Sequence, residues 1–159
     1  MVRQVNGNGG ELPGPNGSGV SYNRVPFHMI ANDGNIMEHA VPFDGSLDLD
    51  GDGDTQDHNA ILPILGIAER YDIVIDFAKN GINPGDKIFF VNIEEHENGR
   101  RPKRDIPLAD VLSGKYLPVV RQTSNGPQWV NGDPGVGLFL QLNVQPYSCL
   151  LYTSDAADE

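Results

Sequence analysis

Aspartates at alternate positions in the segment 48–54 could surround a single cation. Carboxylates at positions 1, 3 and 5 and a glycine at position 6 form the pattern of the EF-hand calcium loop, in which the glycine permits a sharp turn. Here Asp48 takes the first position and Gly53 takes the glycine position. Calcium prefers six to eight oxygen ligands, and this spacing wraps oxygens about one point. The predicted ligands are Asp48, Asp50, Asp52, Asp54, Gln56 and Asn59.

The match to a calcium loop is incomplete at its end. Position 12 is Asn59 rather than the usual bidentate glutamate, and no helical pattern flanks the segment. A weak site is therefore expected, in which Asp54 adds its backbone carbonyl and Gln56 acts through a water molecule. The alternative is a solvated acidic insertion that binds no metal. The sequence leaves both interpretations open.

Histidines, on which protein copper centres depend, are dispersed along this chain. Two histidines separated by one residue on a strand could share a metal, because alternate residues point to the same side. No two of His28, His39, His58 and His96 have that spacing, and the one cysteine is Cys149. We interpret each histidine as a surface or strand-packing residue. The sequence therefore predicts no copper ligand, no catalytic residue and no cofactor-binding residue in this chain.

The charge balance limits the class of partner. A formal net charge of −11 argues against nucleic acid. The basic run at 100–104 follows Glu94, Glu95 and Glu97, which can neutralise it. We interpret the run as a solvated loop, with docking of an anionic partner or neighbouring domain as the alternative.

Short strands separated by glycine and proline turns are the elements expected to position these groups. Strict alternation over 71–77 predicts a half-buried strand, and the Asp-Gly turn at 32–35 predicts a hairpin. Residues 105–114 predict a short helix that is capped by Asp105 and ended by Gly114. Other strands are predicted at 27–31, 36–41, 87–93 and 138–144, with an irregular region at 94–136. The predicted fold is an all-β sandwich with one short helix.

Four of these segments resemble parts of one known domain. Glu69-Arg70-Tyr71-Asp72 is similar to a strand in the second cupredoxin domain of three-domain multicopper oxidases, the group of laccases, bilirubin oxidases and spore-coat laccases. The segments 26–34, 84–92 and 137–144 are similar to that domain's other strands in order and spacing. The resemblance covers roughly residues 25–145. It implies a cupredoxin-like Greek-key β-sandwich, present as a partial domain.

The resemblance also implies a function. Such oxidases oxidise phenolic, pyrrolic or metal-ion substrates and reduce O2 to water, with copper held in their other two domains. This chain is then expected to be a copper-free scaffold that contacts the flanking cupredoxin domains and is inactive alone. Export to the periplasm, spore coat or exterior is expected. The alternative from another class is a non-enzymatic, calcium-stabilised β-sandwich of an exported binding or adhesion protein.

The domain organisation follows from composition and from the resemblance. Residues 1–24 are predicted to be a Gly/Pro-rich loop or linker, and 25–146 a partial second cupredoxin-like domain. Residues 147–159 are expected to be a non-native tail, because 149–159 resemble a translated sequencing adapter. A chain truncated at both ends is therefore expected. No leader is visible, and no apolar stretch is long enough to span a membrane.

Overall fold

The computed structural model describes residues 1–6, 20–97 and 101–146. The predicted tail at 147–159 and residues 7–19 of the predicted linker lie outside them. The described part contains eleven strands and one helix. They are β1 Val2–Asn6, β2 Ser21–Arg24, β3 Phe27–Asn32, β4 Asn35–Phe43, β5 Tyr71–Val74, β6 Lys87–Asn92, β7 Glu94–Glu97, β8 Arg101–Asp105, α1 Leu108–Leu112, β9 Val119–Thr123, β10 Gly126–Asn131 and β11 Gly137–Asn143.

All strand pairs are antiparallel, and they form two main sheets and two separate hairpins. One sheet has the order β11-β6-β1-β2 and the other the order β4-β3-β5. The hairpins are β7–β8 and β9–β10. The predicted all-β class with one short helix is thereby confirmed, and the arrangement is consistent with a sandwich. Two hairpins occupy the region 94–136, which the sequence suggested would be irregular. Their charged and polar strands lack the apolar alternation that marks a strand in a sequence, so they were not predicted.

The main hydrophobic core takes side chains from both large sheets. Phe27 and Met29 come from β3, Phe43 ends β4, and Ile88 comes from β6. The rings of Phe27 and Phe43 stack with centroids 5.2 Å apart. Burying such side chains is the dominant favourable term in folding. The core therefore joins the β3 sheet to the β6 sheet.

The Asp-Gly turn forms as predicted between β3 and β4. Asp33 and Gly34 both have positive φ, at 51° and 82°. A two-residue hairpin turn of this hand matches the twist of the strands that it joins, and glycine and aspartate tolerate its backbone. The neighbouring strand β5 ends at Val74 rather than Phe77, and its burial alternates as the sequence predicted.

The prediction that 1–24 is loop or linker is wrong for two of its segments. Strand β1 pairs with both β2 and β6, and Val2 is fully buried. Local sequence patterns did not reveal these strands, because each is short and β1 pairs with β6, which is more than 80 residues away in sequence. The division of the chain into domains stays a prediction.

Alternation over 138–144 predicts that Leu138, Leu140, Leu142 and Val144 point to one side, but strand β11 departs from this arrangement. The register against β6 shifts between Leu138 and Leu140. A bulge of this kind re-aims the side chains on one side of it. Leu140 is consequently 47% exposed, whereas Val144 is buried.

Helix α1 is shorter than the sequence suggested. Its N-cap is Pro107 and no side chain caps it, so the predicted capping role of Asp105 is wrong. Asp105 instead ends β8, opposite Glu94. Gly114 follows the helix with φ of 75°, as predicted for a C′ residue. No helix in the described ranges is long and apolar enough to cross a membrane.

Candidate functional site

The acidic loop leaves the sheet at the end of β4 and returns beside it. The Ala60 N–H donates a hydrogen bond to the Phe43 carbonyl at 3.0 Å. Arg24 Nη1 donates to the carbonyl oxygens of Gln56 and Asn59, each at 3.0 Å. These bonds fasten the C-terminal part of the loop to β2 and β4, so the fold fixes where the aspartates lie.

Three of the predicted ligands come together. Oxygens of Asp48, Asp50 and Asp52 all lie within 4.8 Å of one another, and the three residues are exposed. Gly53 has φ of 99°, which supplies the turn that the sequence predicted at this glycine. Carboxylate oxygens in this arrangement suit a hard cation such as calcium.

Backbone amides already bind the carboxylates of the loop. Asp48 Oδ1 and Oδ2 accept hydrogen bonds from the N–H groups of Gly51 and Gly53, at 2.7 and 2.9 Å. Asp52 Oδ1 accepts from the Asp54 N–H at 2.8 Å. These local bonds hold the loop in shape without a metal, and each carboxylate oxygen has a further lone pair. They are equally compatible with a solvated acidic insertion.

The group of three carboxylates does not include that of Asp54, and the side chains of Gln56 and Asn59 make other hydrogen bonds. Coordination by the Asp54 carbonyl and by a water on Gln56 stays a prediction. Asp54 Oδ1 accepts from the Gln56 N–H at 2.8 Å. Gln56 Oε1 accepts from Asn59 Nδ2 at 2.8 Å, and Gln56 Nε2 donates to the Gly45 carbonyl at 3.1 Å. The amide groups of Gln56 and Asn59 therefore bind each other. The Oδ1 atom of Asn59 is buried and has no hydrogen-bond partner within the described residues.

Charge within the loop is only partly balanced. Hydrogen bonds from Gly51 and Gly53 lower the pKa of Asp48. Loss of hydration, followed by repulsion from Asp54, Asp52 and Asp50, raises the pKa of Asp57. His58 Nε2 lies 3.6 Å from Asp50 Oδ2 and is the nearest counter-charge when it is protonated. A cation in the loop would relieve this repulsion.

The four histidines lie in separate places. His28 is in β3, His39 is in β4 beside Glu38, and His58 contacts the acidic loop. His96 Nδ1 lies 3.0 Å from Asp133 Oδ2. Within the described residues, no histidine belongs to a group of three or more potential metal ligands.

A buried polar network around Glu95 was not predicted. Glu95 Oε2 accepts from Arg104 Nε at 2.8 Å and pairs with Lys103 Nζ at 3.2 Å. Tyr116 donates its hydroxyl proton to Glu95 Oε1 at 3.0 Å and accepts from the Asp133 N–H at 2.6 Å. These hydrogen bonds lower the pKa of Glu95, and the bond from Arg104 has the largest effect.

This network corrects the interpretation of the basic run. For residues 101–104 the predicted loop is wrong, because residues 101–105 form strand β8 opposite the glutamates of β7, whereas Arg100 lies outside the described residues. The predicted neutralisation does occur, through Glu95 and through a pair between Arg101 and Glu97 at 2.5 Å. The sequence signal for this strand pairing was a group of glutamates followed closely by a group of basic residues, because opposite charges stabilise neighbouring strands.

Asp133 connects His96 to the same network by hydrogen bonds. Burial alone would raise the pKa of Asp133, but hydrogen bonds from the Gly135 and His96 N–H groups outweigh it and lower the pKa. The carboxylate fixes the orientation of the His96 ring.

Two motifs distant in sequence meet at the β3–β4 turn. The Arg70 N–H donates to Asp33 Oδ1 at 2.9 Å, and the Asp33 N–H donates to the Arg70 carbonyl at 2.9 Å. The Arg70 guanidinium lies 3.8 Å from the same carboxylate. The adjacent opposite charges of Glu69 and Arg70 predict an ion pair between them, but Arg70 pairs with Asp33 instead. Glu69 Oε2 accepts a hydrogen bond from the Gly66 N–H at 2.6 Å.

Comparison of the chain with protein-family models, curated proteins and solved structures gives no match.

Proposed function

We propose that this chain is the copper-free scaffold domain of a multicopper oxidase. Its role is to space and orient two copper-bearing cupredoxin domains. Those domains would oxidise a phenolic, pyrrolic or metal-ion substrate and reduce O2 to water. No residue of this chain takes a catalytic or copper-binding role in the proposal.

One observation carries the proposal. The four segments that resemble the oxidase domain lie as two pairs of neighbouring strands, β3 with β5 and β6 with β11. Asp33 and Arg70 join two of these segments by two hydrogen bonds, one from the Asp33 N–H to the Arg70 carbonyl and one from the Arg70 N–H to the Asp33 carboxylate. Segments that were matched by sequence order alone thus contact one another, which supports their origin in one domain type.

The surface supports a role beside other domains. Ile36, Ile67 and Phe139 are exposed by 87%, 104% and 66%. Exposed apolar side chains are covered where a surface packs against another domain or protein, and single ones also occur on free surfaces. A scaffold between two cupredoxin domains would cover such residues.

The reading frame around the coding segment provides the first test. The proposal expects His-x-His pairs upstream and a His-Cys-His string downstream, because copper centres need paired imidazoles and a thiolate. A frame that extends in both directions without these clusters would contradict the proposal.

The acidic loop favours a second candidate, a calcium-stabilised β-sandwich of an exported binding or adhesion protein. Its supporting observation is the convergence of Asp48, Asp50 and Asp52 within 4.8 Å. Two observations distinguish this candidate from the scaffold domain. The second expects calcium-dependent stability together with a reading frame that lacks histidine clusters.

A further inference from the structure

A second feature of the molecule is a cavity of about 640 Å³ beside the β7–β8 hairpin. Its walls come from the segment 60–65 and from strands β3, β5, β6 and β11, and its polar end comes from Glu94, His96 and Asp105. Small-molecule sites typically enclose about 300–1,000 Å³ and are mostly apolar, with a few polar groups that orient the ligand. The cavity has both properties.

Glu94 is the unusual group in its lining. The Oε1 atom is buried and has no hydrogen-bond partner in the described part of the chain. A carboxylate oxygen this buried is closed to a ligand, but its uncompensated charge is shared with the other oxygen of the carboxylate, where a positively charged group in the cavity would stabilise it. Glu94 therefore marks where a positively charged group would be stabilised.

The basic residues of the hairpin are engaged elsewhere. Lys103 and Arg104 pair with Glu95, and Arg101 pairs with Glu97. The residues described in β7 and β8 thus satisfy two glutamates and leave the third without a cation. A ligand is then the natural counter-charge for Glu94.

Aromatic rings line the apolar part of the same cavity. Tyr71, Phe90 and Phe139 contribute to the wall, and the rings of Phe90 and Phe139 lie with centroids 6.1 Å apart. The face of an aromatic ring attracts an organic cation and also packs against its apolar body. A bare metal ion would gain little here, since most of the lining offers no oxygen or nitrogen ligand.

We propose that this cavity binds an organic ammonium ion with an apolar body. The ammonium group donates hydrogen bonds to the Glu94 carboxylate, and the body lies against the aromatic and aliphatic wall. The inference is independent of the proposed oxidase function, because it needs neither copper nor another domain.

Three probes that share one body and differ in head-group charge test the proposal. Calorimetric titration of the full chain at pH 7 would use 4-phenylbutylammonium, 4-phenylbutan-1-ol and 4-phenylbutanoate. We expect the ammonium probe to bind about tenfold more tightly than the alcohol, since a charge-assisted bond is stronger than a neutral one. The carboxylate should give no binding heat.

Two variants separate a local effect of Glu94 from general attraction to an acidic protein. Glu94→Gln should remove the preference for the ammonium probe over the alcohol. Glu97→Gln removes the same charge from an exposed, paired residue of the same strand and should retain the preference. Circular dichroism verifies that each variant is folded.

A third variant keeps the test decisive if Glu94→Gln does not fold. Leu65, which lines the cavity and is 47% exposed, can be replaced as Leu65→Lys. This change places a positive charge at the cavity and should weaken binding of the ammonium probe while binding of the alcohol probe changes little. Unchanged ammonium binding in this variant would contradict the proposal. Absence of ammonium binding, equal affinity for all three probes, or an unchanged preference in folded Glu94→Gln would overturn the proposal.

Discussion

Asp33 shows how one side chain can fix the contact between two strands. Its backbone occupies the left-handed region, with φ of 51°, and its carboxylate accepts from the Arg70 N–H at 2.9 Å. Aspartate and asparagine tolerate that backbone better than alanine does. The residue therefore stabilises the hairpin turn and the entry of β5 at once.

Replacing Asp33 with alanine should lower the free energy of unfolding by about 1–2 kcal/mol, because both the hydrogen bond and the tolerance of positive φ are lost. Asp33→Asn, which keeps an acceptor and tolerates the backbone, should change it by less than about 0.5 kcal/mol. Urea unfolding measures both. Equally small effects of the two substitutions on the free energy of unfolding would show that neither the hydrogen bond nor the tolerance of positive φ matters for the turn.

Glu95 gives the protein a pH-dependent contribution to stability. Its pKa is lowered from the ordinary 4.5, first by the hydrogen bond from Arg104 and then by those from Lys103 and Tyr116. A carboxyl group whose folded pKa is lowered stabilises the fold fully above its unfolded pKa. That contribution is lost as the pH falls through the lower, folded pKa.

Glu95→Gln should therefore lower the thermal midpoint most at pH 7, and the deficit relative to the wild type should shrink below about pH 4.5. Thermal unfolding followed from pH 7 to pH 3 measures the difference. The control is Glu97→Gln, whose exposed pair with Arg101 should contribute little at any pH. A deficit for Glu95→Gln that stays constant with pH would contradict the ionic role.

At the scale of elements, the acidic loop is the segment most open to regulation by an ion. Six aspartates lie between positions 44 and 57 with no intervening lysine or arginine. Three carboxylates converge, but the amides of Gln56 and Asn59 bind each other. Such an incomplete ligand set favours weak binding.

Calcium should bind this loop with a dissociation constant of about 10⁻⁴–10⁻³ M and raise the thermal midpoint. Calorimetric titration of the chain beside the double variant Asp50→Ala, Asp52→Ala measures this. A second double variant, Glu38→Ala with Asp72→Ala, removes two exposed acids outside the loop and should bind calcium like the wild type. Equal calcium heat from the loop variant and the wild type leaves only the solvated-loop interpretation.

Strand β1 tests whether the first residues belong to the fold. Val2 is fully buried, whereas Val5 in the same strand is 46% exposed. Val2→Ala should lower the free energy of unfolding by about 2 kcal/mol, and Val5→Ala by less than about 0.5 kcal/mol. Chemical denaturation of the two variants measures the contrast. Equal small effects would restore the prediction of a linker.

The contrast between Asp33 and Val2 explains what the sequence could and could not predict. The turn at Asp33-Gly34 and the alternation in β5 are local patterns, so both were predictable. The pairing of β1 with β6 depends on contacts distant in sequence, which local patterns do not encode. In the acidic loop, the spacing of the aspartates predicted that three of them converge. It could not predict that the side-chain amides of Gln56 and Asn59 form a hydrogen bond with each other.

At the scale of the whole molecule, two antiparallel sheets enclose one main core, and large apolar side chains remain on the outside. In our proposal the chemistry belongs to flanking domains, and this chain would contribute their spacing and orientation.

Visible absorption and oxygen uptake, recorded after addition of copper, test the scaffold proposal most directly. The product of the complete reading frame and the chain described here would be measured side by side with a phenolic dye as substrate. The proposal predicts that the complete product is blue and consumes oxygen, and that this chain alone is colourless and inactive. A blue, active chain would contradict its assignment as a scaffold, and a colourless, inactive complete product would contradict the oxidase itself.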